Sequence, residues 1–314
     1  MENRFRIIVV AFLSIFCTCL LFSQQGPIKI SYDKNKSGSV FIKYRKSKPG
    51  SYFFILTFDH LHNTYSSGYK GVIKDPFGKL VTLKPEDRYK GINFSYKTSS
   101  TRGIPNPSVD SSIIYSLPFR PGLNVGVEVI EDFEEKTYKD KIQPKDWQIL
   151  HFKLPDGDTV VASRKGMVVA VENQNNYNDR SGSSVEPRDI LVEHEDGTFA
   201  SYASNAITHT FVEPGDKVFP GTPLGLLENS EEGDPIDLYF KTYYLILKSL
   251  DDKNESILSN TNAEYQYFSP TFQTSKGTMK LENNQEYGAE MSNIIIFQEL
   301  SKRDQRKWMK EHAN

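Results

Sequence analysis

The sequence predicts an all-β protein: an N-terminal β-sandwich, then a small β-barrel, with a short helix near the C-terminus. Three observations predict it. Seventeen Tyr and 20 Phe in 314 residues favour strands. The apolar residues fall in short runs separated by turn clusters such as "KPG", "DPFG" and "RPG". Finally, "FVEPGDKVFPGTPLGLLEN" (211–229) alternates apolar with polar residues and breaks twice on Pro-Gly, the pattern of a tightly specified turn region between strands.

The first 23 residues read as a leader rather than as part of the fold. Arg4 and Arg6 precede a weakly polar run from Ile7 to Phe22, and Ser-Gln-Gln follows, as in a signal peptide cleaved near Ser23. A retained membrane anchor, or lipid attachment at Cys17 or Cys19, is the alternative for the same run. Both cysteines of the chain lie in this leader, so the mature chain is expected to hold no disulfide and no thiolate metal site. The expected location is periplasmic or secreted, with membrane contact only through the leader before cleavage. A net charge of −2 gives no reason to expect nucleic acid, which would want a basic face.

Residues 27–130 are assigned to the sandwich. "GSVFIKYRK", "SYFFILTFDHL", "INFSYKTSS", "SSIIYSLPF" and "NVGVEVIED" are its expected strands. The charged stretch "EDFEEKTYKDKIQPKDW" reads as a linker or exposed hairpin over 131–146. Residues 147–275 are assigned to the barrel with an extension, and "QNNYNDRSGSSVEPR" within them to a polar surface loop. The tail, 276–314, holds one helix in "FQELSKRDQRKWMKEH". It should place Phe297, Leu300 and Trp308 on one side and basic residues at its end.

Several stretches of the second domain come in a recognisable order: "GDTVVASRKGMVV" (157–169), "ILVEHEDGTFASYAS" (190–204), "VEPGDKVFPGTPLG" (212–225) and "IDLYF" (236–240). Together they resemble the M23 (LytM-type) peptidoglycan peptidases, whose core is a β-barrel of the duplicated hybrid motif. A lipoyl- or biotinyl-type barrel uses a similar Gly-Asp-x-Val turn. It would need a lysine at a hairpin tip, and no such hairpin is evident. The M23 resemblance implies a zinc ion held by two His and one Asp, with a water activated in the open position.

The resemblance places the first zinc histidine at Trp147, the zinc aspartate at His151, the histidine of the family's Tyr-Ala-His at Ser204, and the two histidines of its His-x-His at Asp237 and Tyr239. None of the five keeps the expected residue. His151 and Asp237 remain as ligand types, and two are too few for zinc. No metal and no cofactor are therefore expected, and no catalytic residue is assigned. Trp147, His151, Ser204, Asp237 and Tyr239 become the lining of a binding groove, since aromatic side chains with a polar handle suit recognition.

The remaining histidines have plainer readings. His194 should satisfy a local hydrogen bond, His209 should be exposed, and His60 and His62 alternate on a strand end. No nucleophile elbow, Walker or dinucleotide motif is present. The resemblance implies a noncatalytic exported relative that binds or regulates a cell-wall hydrolase or a peptidoglycan fragment. The alternatives are an active zinc endopeptidase with displaced ligands and a purely structural envelope protein.

Overall fold

The computed structural model describes residues 26–131, 146–173, 188–228, 235–247 and 263–311. The leader, nearly all of the 131–146 linker and all but the last residue of the polar loop fall outside them. Six strands form the first body: β1 (Ile28–Lys34), β2 (Val40–Lys46), β3 (Tyr52–His62), β4 (Tyr69–Ile73), β5 (Phe77–Leu83) and β6 (Asn93–Arg102). They make two antiparallel three-stranded sheets, β1-β2-β5 and β4-β3-β6. One residue in two turns inward along β2, and Val40, Ile42 and Tyr44 meet Phe54, Leu56, Ile73 and Leu83 in a shared core. Two layers closing over alternate apolar residues are what the sandwich pattern predicts.

The second body follows: β7 (Ile114–Ser116), β8 (Asn124–Ile130), β9 (Ile149–Leu154), β10 (Thr159–Val161), β11 (Gly166–Asn173), β12 (Arg188–Glu193), β13 (Thr198–Ser204), β14 (Ile207–Thr210), β15 (Lys217–Val218), β16 (Pro223–Leu227), β17 (Ile236–Leu247), β18 (Ala263–Tyr267), β19 (Thr271–Thr274), β20 (Gly277–Met279) and β21 (Gln285–Gly288). A nine-stranded sheet runs β15-β11-β12-β13-β17-β9-β8-β21, with β18 also paired to β17. The small β10-β16-β14 sheet contributes to the same apolar core, where Val160, Leu224 and Leu227 join Phe152, Ile190, Tyr202 and Phe240. The two Pro-Gly breaks hold this wall in place. Gly215 (φ 112°) and Gly221 (φ 85°) adopt left-handed backbone and donate to Val168 O and Ala162 O, each at 2.8 Å.

Two strands expected in the sandwich sit elsewhere. β8 pairs with β9 and β21, and β7 pairs in parallel with β19. The alternation of "NVGVEVI" specifies which face is apolar and not which strand it meets, and Val125 and Val127 complete the second core. The bodies touch through polar contacts that include side chain–backbone hydrogen bonds and a Lys48–Glu172 ion pair. Ser51 N donates to Glu193 Oε2 at 2.8 Å, and Arg102 Nη1 donates to Val169 O at 3.2 Å.

The C-terminal periodic stretch forms two helices, α1 (Asn293–Phe297) and α2 (Lys302–Glu311). Ser301 restarts the chain as a cap: its Oγ accepts from Asp304 N at 3.2 Å and donates to Asp304 Oδ2 at 2.7 Å. Phe297 and Trp308 meet edge to face, with centroids 5.4 Å apart. No helix among the described residues is long and apolar enough to cross a membrane.

Candidate functional site

Strand register builds the site. Glu128 on β8 lies opposite His151 on β9, and His151 lies opposite Tyr239 on β17. The row continues to Ala203 on β13 and Asp189 on β12. Side chains alternate along a strand, so this row occupies the face of the sheet away from Phe152, Leu238 and Tyr202, which fill the core. Asp237 is two residues before Tyr239 and shares its face.

His151 is the centre of the row and is only 7% exposed. Its Nδ1 lies 3.0 Å from Glu128 Oε2 and its Nε2 lies 2.7 Å from Asp237 Oδ1. Its ring stacks on Tyr239 with centroids 4.8 Å apart and planes at 13°. Both carboxylates are about half exposed, at 54% and 53% of their side chains. Burial opposes charge on the imidazole, but the hydrogen bonds to Asp237 and Glu128 outweigh it and raise the His151 pKa. In return, the bond from His151 holds the Asp237 carboxyl below its ordinary range.

The other two expected groove residues lie apart from this cluster. Ser204 shares the parity of Tyr202 and so points to the core side; it is buried, and its Oγ accepts from Ala206 N at 3.1 Å. The small hydroxyl closes a turn there. Trp147 precedes β9, is 7% exposed, and meets Tyr267 edge to face at 6.5 Å. It lines a separate hollow with Gln148, Phe268 and Ser269. Nothing in the residue pattern marks Glu128, because the sandwich reading gives β8 other partners; the pairing of β8 with β9 brings it to His151.

A zinc ion of the kind the M23 resemblance implies does not fit this donor set. The two carboxylates bond opposite nitrogens of one imidazole ring, so the three groups do not converge on a common point. Asp237 and His151 Nε2 could supply at most two ligands where zinc takes three or four from protein. Among the described residues no group of three or more His, Cys, Asp or Glu is arranged to hold a metal ion.

A second polar centre was not foreseen. Arg164, following β10, is 2% exposed and grips Glu299 through two bonds of 3.0 and 2.8 Å. It also donates to Asp196 Oδ2 at 2.9 Å, Tyr115 OH at 3.1 Å and Thr198 Oγ1 at 3.2 Å. Beside it, His194 donates from Nδ1 to Lys165 O at 2.8 Å. Burial, and then the Arg164 charge, hold His194 well below the ordinary imidazole range. The local hydrogen bond read for His194 from the sequence is thus present. Arg164 fastens the segment between α1 and α2 to the second body, assisted by Lys165 Nζ, which donates to Glu299 O at 2.9 Å.

Fold and site together define an all-β, two-body protein with short C-terminal helices, and solved structures similar to it include a putative peptidase M23 and a zinc-containing peptidase of Vibrio cholerae. The solution structure of lysostaphin is 19% identical over 46% of this chain and 47% of that chain, with a TM-score of 0.25, so the match spans about half of lysostaphin. A putative peptidase M23 from Pseudomonas aeruginosa is 12% identical over 63% of this chain and 90% of that one, with a TM-score of 0.28. Csd3 of Helicobacter pylori is 10% identical over 92% and 78%, with a TM-score of 0.29. No protein-family model and no curated protein matches the sequence.

Proposed function

We propose that this is a noncatalytic, M23-like exported protein that binds or regulates a cell-envelope partner, either a cell-wall hydrolase or a peptidoglycan fragment. The observation that carries the reading is the double engagement of His151. The position that the resemblance gives to a zinc carboxylate holds an imidazole whose two nitrogens are both taken by carboxylates. Such a row offers too few converging ligands to hold the zinc that would polarise a carbonyl and activate water in the M23 scheme. It does present two half-exposed carboxylates beside a tyrosine ring, which suits contact with sugars, amides or a partner's cations. The leader supports export.

Cosedimentation with purified peptidoglycan, followed by chromatography of the soluble products, tests this reading. Its hydrolase arm uses a purified M23 hydrolase assayed with and without this protein. The expected result is binding without new products, or altered activity of the added hydrolase, reduced several-fold by Tyr239→Ala. Cleavage products made by this protein alone would overturn the reading, as would neither binding nor any effect on the hydrolase.

The purely structural alternative draws support from one observation, the burial of Trp147 against Tyr267. On that reading, ligands added at saturating concentration would leave quenching of Trp147 fluorescence unchanged, with Trp308→Phe removing the second indole.

A further inference from the structure

We infer that the cleft between the two bodies is a binding site for a small zwitterion, of the class of a free amino acid or a short peptide with both ends uncapped. The cleft has a volume of about 380 Å³ and is lined from the first body by Gly50, Ser51 and Lys74, and from the second by Gly166, Met167, Glu193 and Lys217 among others. Ligand sites concentrate at such inter-domain clefts, and this volume lies within their usual range of roughly 300–1,000 Å³. It is separate from the His151 row and does not depend on the function proposed for that row.

The charges in the cleft define the ligand. Glu193 is 8% exposed, so its carboxylate is largely removed from water. One of its oxygens, Oε2, accepts from Ser51 N at 2.8 Å. Its Oε1 accepts no hydrogen bond from any described residue and keeps access to the cleft. A ligand ammonium would supply a donor. The cationic side of the cleft has the converse property. Lys165 is already committed to Glu195 at 3.2 Å and to Glu299 O. The Lys74 and Lys217 ammonium groups have no hydrogen-bond or ion-pair partner among the described residues, and they stand on opposite bodies across the cleft. A ligand carboxylate would bridge them. Ile104 and Met167 give the walls an apolar stretch against which a short aliphatic side chain packs. Because the two lysines belong to different bodies, an occupant also adds a tie between them to the Ser51–Glu193, Arg102–Val169, Lys48–Glu172 and Tyr265–Arg102 contacts.

Calorimetric titration of the purified protein with alanyl-alanine tests the proposal, beside N-acetyl-alanyl-alanine and alanyl-alanine amide as single-charge controls. The expected result is saturable one-to-one binding of the free dipeptide, at least tenfold weaker for each capped form. Lys74→Ala and Lys217→Ala, both at exposed positions, should each weaken it about tenfold. Glu193→Gln keeps an acceptor for Ser51 N and should abolish the preference for the free amino end. No binding of the free dipeptide overturns the proposal, and so does equal binding of the capped forms. Unchanged affinity in both lysine variants overturns it even if the Glu193 variant fails to fold.

Discussion

His151 and Asp237 join neighbouring strands through a 2.7 Å contact between Nε2 and Oδ1, at two of the positions where the sequence resemblance would set a metal-binding or catalytic group. One is an imidazole standing in for a carboxylate, the other a carboxylate standing in for an imidazole. With Glu128 on the far side of the ring, the pair satisfies itself.

This pairing fixes a pH dependence. The His151 pKa is raised in the folded protein, so its contribution is complete below the unfolded value of about 6.5 and is lost as pH rises through the folded value. The Asp237 pKa is lowered, so its contribution is complete above about 3.9 and is lost as pH falls through the folded value. The pair therefore stabilises most between roughly pH 4 and 6.5. Titration of the His151 ring resonances should give a midpoint above 6.5, and Asp237→Asn should lower it. The stability change for Asp237→Asn should stay at about 1 kcal/mol or less, because that carboxylate is half exposed.

Arg164 behaves differently because it is buried. Replacing it with Ala strands the carboxylates of Glu299 and Asp196 without their cation, at a cost of about 3–5 kcal/mol. Urea denaturation would measure this. Glu299→Gln should cost less, since the amide still accepts one bond from the guanidinium. It should also loosen the α1–α2 segment, which would appear as faster hydrogen exchange at Phe297–Ser301.

The Pro-Gly stretch predicts a contrast between two glycines. Gly221 has φ 85°, a conformation that costs a Cβ-bearing residue about 1–2 kcal/mol, so Gly221→Ala should lower stability by that amount. Gly126 on β8 has negative φ and nothing within 4 Å of an added Cβ. Gly126→Ala should be neutral or slightly stabilising. Thermal melts of the two variants side by side check the pair.

The elements most legible in the sequence were those whose local chemistry decides them. β2 and β3 follow from alternation and aromatic content, and the turn at 213–222 follows from Pro-Gly. The long run "IDLYFKTYYLIL" gives β17. Pairing over long separations was not legible. β8 alternates as a sandwich strand would, yet it pairs across the charged stretch with β9, the next strand, and with β21 far downstream. β20 and β21 have three and four residues and lie in a tail where only a helix was expected; strands that short carry little periodic signal. Within the site, His151, Asp237 and Tyr239 were placed together by the family motif, and register brings them together on one face. Ser204 was misplaced because alternation at the end of β13 turns it towards Tyr202. Arg164 gave no motif, because its partners Tyr115, Asp196 and Glu299 come from three distant segments.

Metal analysis of the dialysed protein after incubation with excess zinc, repeated on His151→Ala and Asp237→Ala, addresses the central claim most directly. The account predicts no stoichiometric zinc in any of the three. One zinc per chain in the unaltered protein, lost in both variants, would contradict it and restore a metal centre to this face.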